Sequence, residues 1–233
     1  MCGRYAVVIE EDALARSFGA KIGADVPARY NASPGQSLPV ITSRDVAAVR
    51  QYRWGFVPDW AKSENDGYKM INARAEGIAD KSAFRKAVAQ QPCLVLASGF
   101  YEWQQHATDK TGKKPFFIRP THQTLFAMAG LWNRWVNYAT GEEISSFAVI
   151  TTEANEFMRH IHDRMPVLLP QADARHWLDT AIALPDRLAL LKPYPAHDME
   201  AYEVTREVNK TIHDYPQLLE PVGERLRVQA GTL

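Results

Sequence analysis

PCLVLAS (residues 92–98) and GFYEWQQ (99–105), followed by PFFIRP (115–120), TLFAMAGLW (124–132) and SSFAVITT (145–152), decide the fold. The first is a short continuous apolar run bounded by proline and glycine, the pattern of a buried strand. The others follow within a few residues, with Gly112 and Gly141 in the turns between them. Toward the N-terminus, Val46–Arg53 alternates as a strand and runs into the aromatic loop WGFVPDW (54–60). GRYAVVI (3–9) reads as a first strand and EEDALARSF (10–18) as a helix opened by acidic residues. VPARYNASPGQSLPVI (26–41) is turn-rich, with a tight bend at Ser33-Pro34-Gly35. After the turn at Asn65-Asp66-Gly67, KMINARAE (69–76) leads into a helix over roughly Ser82–Gln90, where Phe84 and Val88 share a face. Toward the C-terminus, EANEFMRHI (153–161) and QADARHWLDTAI (171–182) read as helices, HDRMPVLL (162–169) and AYEVTREVN (201–209) as strands, and the rest as a polar tail. Many strands joined by short turns, with few helices and no strict alternation, exclude a doubly wound parallel fold. They predict one α+β domain over residues 1–233. Its core, about 2–208, is a curved, mixed but mostly antiparallel sheet, barrel-like, with flanking helices and a peripheral C-terminal segment.

Composition narrows the function. The 233 residues are 46% hydrophobic and 23% charged, ordinary for a globular protein with a sizeable core. Lys+Arg and Asp+Glu are both 27, so any polyanion must be met by a local groove and not by a basic surface. No apolar run approaches the roughly 20 residues of a membrane span, and the N-terminus has no basic and apolar leader. Cys2 and Cys93 make no disulfide framework. A reducing compartment follows, the cytoplasm by default, and no membrane partner.

Several polar residues call for an explanation beyond packing. Removal of Met1 would leave Cys2 as a 1,2-aminothiol, with an amine of pKa roughly 8 and a thiol of roughly 8.5 on adjacent carbons. Both are nucleophiles once deprotonated. Together they can trap an aldehyde, the amine as a Schiff base and the sulfur closing a five-membered thiazolidine. Asn72 is either a helix N-cap or a holder of a substrate oxygen or the terminal amine. Alternation from Phe100 puts Glu102 on the face opposite Tyr101 and Trp103; it is either solvent-facing or a buried acid with a raised pKa suited to proton transfer. His162 heads His162-Asp163-Arg164, an imidazole for proton exchange near neutral pH beside a guanidinium fork for phosphate. His160 and His162 lack a second Cys/His cluster at ligand spacing, so no metal is expected. Pro34, Trp54, Pro58, Trp60 and Trp103 form an aromatic and proline set able to stack on unpaired bases, although packing explains any one tryptophan. Cys93, within an apolar strand, reads as an inert buried thiol.

The ordered set MCGRY, RYN-x-SPG, WGF-x-P-x-W, INARAE, SGFYEW and HDRMP resembles the SOS-response-associated peptidase (SRAP) family from Cys2 to about Val208. The resemblance implies a single domain whose groove binds single-stranded DNA, or a junction of single and double strands, containing an abasic site. It implies covalent crosslinking of that site by the terminal cysteine, and an autoproteolytic step that frees it. Carried over, Cys2 is the nucleophile, Asn72 positions its amine, Glu102 is the active-site acid, and His162 assists sugar opening and proton transfer. Arg4, Arg74 and Arg164 match phosphate-contacting arginines, and Pro34 and Trp60 lie in segments that wedge beside the bases. Asn31 and Thr151 complete the DNA-binding set. No cofactor or metal is implied, and the protein is expected to act as a monomer. The loop AKSENDGYK (61–69) has no counterpart that assigns it a role. Two other readings stay open: a peptidase or amidohydrolase with Cys2 as its nucleophile, and a non-covalent single-strand binder.

Overall fold

The computed structural model describes residues 2–23, 26–104 and 112–227; Met1, Gln105 and the last six residues of the polar tail lie outside the described residues. The strands are β1 (Tyr5–Val7), β2 (Lys21–Ile22), β3 (Arg29–Ala32), β4 (Ser37–Thr42), β5 (Asp45–Trp54), β6 (Asn72–Arg74), β7 (Pro92–Ala97), β8 (Gly99–Gln104), β9 (Lys114–Pro120), β10 (Phe126–Val136), β11 (Glu143–Glu153), β12 (Arg164–Pro166), β13 (Leu168–Leu169), β14 (Met199–Val204) and β15 (Pro221–Arg227). The helices are α1 (Glu11–Phe18), α2 (Arg85–Gln90), α3 (Gln171–Leu178) and α4 (Leu184–Leu188).

Four strands read from sequence, with a fifth, β4, that lies inside the segment read as turn-rich (26–41), form a barrel. β11, β10, β7, β4 and β5 pair antiparallel in that order, and β5 then meets β11 in parallel at Arg53–Ser146 and Trp54–Phe147, closing five strands on themselves. The other strands curl as an antiparallel half-barrel in the order β15-β14-β9-β8-β1-β3. One core joins the two sheets, with Tyr5, Phe100, Phe116 and Ile118 from the half-barrel and Trp54, Val95, Phe147 and Val149 from the barrel. The half-barrel's other face is covered too, where Tyr101, Phe117, Tyr202 and Val204 pack under Val208 and Leu218. Gly99 is needed here: a Cβ would stand 2.0 Å from Phe117 Cζ. Burial on both faces removes most of the polar alternation from β8, so parity alone could not say which side of it met solvent.

Five expectations are corrected. The helix expected over roughly Ser82–Gln90 forms as α2, but Asn72 does not cap it: Asn72 opens β6, which pairs with β11. EANEFMRHI condenses to a 3-10 turn at Met158–His160, because Asn155 takes the Met158 amide on Oδ1 and gives Nδ2 to Tyr194 O. HDRMPVLL divides into β12 and β13, since the Val167 amide bonds Ile150 O while Val167 O accepts from Ala129. AYEVTREVN leaves the sheet after Val204 for a 3-10 turn at Arg206–Asn209. The polar tail carries β15, secured by its charges: Arg225 and Arg227, with Arg119, surround the buried Glu200 carboxylate. No helix among the described residues is long and apolar enough to cross a membrane.

Candidate active site at the end of the barrel

Three elements place the chemistry. The chain enters β1 directly after Cys2, which is fully buried. β6 lies against the C-terminal end of β11 and opens on Asn72, whose Nδ2 donates to Cys2 O at 2.8 Å. Asn72 Oδ1 is buried with no hydrogen-bond partner among the described residues, an acceptor held beside the cysteine. On β8, Glu102 falls on the inner face with Phe100 and is 3% exposed. His162 sits in the turn before β12, its Nε2 3.9 Å from Glu102 Oε2.

The ring of His162 is oriented from behind. The Arg164 amide donates to Nδ1 at 2.9 Å. Asp163 Oδ1 lies 2.9 Å from the same nitrogen. These two contacts compete; the amide hydrogen is fixed by the peptide plane, whereas Asp163 is exposed and able to turn into solvent. The Arg164 amide thus meets Nδ1, which turns Nε2 toward Glu102. Burial raises the Glu102 carboxyl above its ordinary range, with His162 opposing. Burial also pushes the Cys2 thiol far up, and the Glu102 charge adds to this. Burial therefore favours the thiol over the thiolate.

Around this cluster the other expected residues divide into two groups. Arg164 crosses the end of β11, donating to Thr151 O (2.8 Å) and Oγ1 (3.3 Å) and holding Glu76 with both terminal nitrogens at 2.8 and 2.9 Å. Thr151 is fully buried and reaches the surface only through that guanidinium. Arg74 is exposed on β6 beside Asn72. Trp60 is 58% exposed, and Pro34 is half-buried in the bend between β3 and β4. Arg4 and Asn31 stand apart. Arg4 Nη1 donates to Asn31 Oδ1 and Val208 O, both at 2.8 Å, and its guanidinium lies 5.9 Å from the Trp103 ring. Buried Asn31 donates to Val208 O, Lys210 O and His213 O, so the pair ties residues 208–213 to the half-barrel. The sequence reading gave no part to Glu76 or Tyr5; the Tyr5 hydroxyl is buried with no hydrogen-bond partner among the described residues, and its pairing with Phe100 was the available signal for its inward face. No cluster of three metal-binding side chains occurs among the described residues.

Cys2, a side-chain amide, a buried carboxyl and an imidazole are thus gathered where a small barrel meets a half-barrel. The chain belongs to the SOS response associated peptidase (SRAP) family, whose profile matches residues 1–211. It is 40% identical over 227 residues to the abasic site processing protein YoqW of Bacillus subtilis, covering 94% of this chain and 99% of that one. It is 32% identical over 225 residues to the abasic site processing protein HMCES of Gallus gallus, covering 83% of this chain and 66% of that one. A Bacteroides thetaiotaomicron protein solved by X-ray crystallography superposes with a TM-score of 0.85 at 27% identity, covering 95% of this chain and all of that one.

Proposed function

We propose that this protein senses abasic sites in single-stranded DNA, or at a single- and double-strand junction, and captures them covalently through Cys2. Relatives named abasic site processing proteins support the target. The observation that carries the chemistry is the meeting of buried Cys2 and Glu102 with Asn72, which holds Cys2 O, and His162, 3.9 Å from Glu102. Removal of the preceding residue, by the same site or by an aminopeptidase, gives Cys2 a free α-amine. Glu102 and His162 then exchange protons with the closed sugar hemiacetal and open it to the aldehyde. The amine attacks the aldehyde carbon and water leaves, forming an imine. The thiol adds to that carbon as its proton passes to the nitrogen through Glu102 or His162, closing the thiazolidine. One water is lost overall, and no oxidant, reductant or cofactor enters.

The protonated state of the buried thiol supports this order, with the amine attacking first. Asn72 holds the Cys2 carbonyl and offers Oδ1 to the amine. Arg74 and Arg164 meet phosphates, Thr151 steadies Arg164, and Trp60 and Pro34 flank the bases. Arg4 and Asn31 are further DNA contacts in this reading, and they also tie residues 208–213 to the half-barrel. The protein acts as a monomer in the cytoplasm. An abasic oligonucleotide incubated with Cys2-terminal protein is expected to give a band of reduced mobility that survives denaturation and is lost in Cys2→Ala. A band that persists in that variant would refute the mechanism; peptide turnover without DNA would favour a peptidase instead.

A further inference from the structure

Asn72 and His162 belong to two very short strand units on either side of β11: β6 has three residues, and so has β12, which begins two residues after His162. Few ladder bonds hold either unit. Beside the flanking backbone bonds, a side-chain bridge links the two units, running from Glu76, just past β6, through the guanidinium of Arg164 to Thr151 on β11. Arg164 is also the residue whose amide orients the His162 ring. Its side chain is 16% exposed while that of Glu76 is 53% exposed, so the buried end of the bridge is the end nearer the chemistry. Arg164 holds the Glu76 carboxyl below its ordinary range, as expected for a two-point ion pair.

We infer that Glu76 is a positioning residue for the capture reaction: by fixing Arg164 it fixes the register between the Asn72 and His162 segments. This rests on the covalent reading above. The carboxylate is not held there to compete with a DNA phosphate, because Thr151 O and Oγ1 anchor Arg164 independently, and the pair spans two segments that carry reacting groups.

The test is single-turnover crosslinking of abasic single-stranded oligonucleotide, with rate followed against protein concentration for the native protein, Glu76→Gln and Glu76→Ala. Glutamine keeps one acceptor for Arg164 and loses the charge; alanine loses both. The saturating rate should fall in the order native, Gln, Ala, reaching roughly tenfold to a hundredfold for Ala as misplaced groups react slowly. The half-saturating concentration should change less than twofold. Should Ala prove misfolded by its melting curve, the Gln variant, with a several-fold loss at saturation, decides alone. An unchanged saturating rate, or tighter half-saturation in both variants alike, would overturn the inference and mark Glu76 as a phosphate competitor. Absence of crosslink in the native protein would instead refute the covalent reading.

Discussion

Glu102→Gln should make the protein more stable and leave it nearly inert. The carboxyl is 3% exposed, with His162 Nε2 3.9 Å from its Oε2. At neutral pH the fold either keeps a desolvated charge or takes up a proton against the solution; an amide of the same shape does neither. A tenfold change in proton affinity is worth about 1.4 kcal/mol. With His162 offsetting part of the burial cost, the variant should gain on the order of 1 kcal/mol, roughly 2–4 °C in Tm for a chain of this size. The gain has a required pH dependence. The folded acid binds its proton more tightly than the unfolded one, so its penalty is absent below the unfolded value near about pH 4 and grows as pH rises through the folded value. Melting curves at pH 4 and pH 7 should therefore coincide for the two proteins at the lower pH and separate at the higher. Crosslinking at saturation should drop by roughly 10²–10⁴, the usual loss on removing a general acid–base group. A variant less stable at pH 7, or offset equally at both pH values, would refute the buried-acid argument; intact crosslinking would remove Glu102 from the chemistry.

Three further outcomes follow from the geometry. Asn72→Ala breaks the bond to Cys2 O and should slow capture by roughly a hundredfold, the scale of an ångström-sized misplacement, with melting changed little; a rate within twofold of native contradicts its role. Trp60→Ala should weaken binding of intact single strands by about 1–3 kcal/mol while leaving Tm unchanged, because the ring is 58% exposed; fluorescence anisotropy checks the first and calorimetry the second. Arg187→Leu strands the carbonyls that the buried guanidinium binds, those of Val88 and Ala89 at the end of α2 and that of Ile182 just before α4. A loss of about 3 kcal/mol, near 10 °C in Tm, is expected, with the saturating crosslinking rate within twofold at 20 °C.

The barrel was legible because its strands are long and apolar on at least one face: β7, β10 and β11 appear in the sequence almost as they fold. β8 was legible as a strand, but the side to which Glu102 points was not, since Phe100 and Tyr101 are both fully buried. Asn72 looked like a helix cap because a three-residue strand is too short to show a period; its pairing with Val149 is a tertiary fact. β15 was missed because its cohesion is ionic, supplied by arginines closing on Glu200 from the two flanking strands, β9 and β15. The SRAP motifs marked the family. They could not show that Arg4 and Asn31 also bond to residues 208–213, nor that Glu76 and Thr151 grip Arg164.

The most direct test is the intact mass of Cys2-terminal protein after reaction with an abasic oligonucleotide. A terminal aminothiol closing on a ring-opened sugar predicts the sum of the two masses less one water, stable to denaturation and absent for Cys2→Ala. An unmodified protein mass, or an adduct that forms equally when the α-amine is still blocked by Met1, would contradict it.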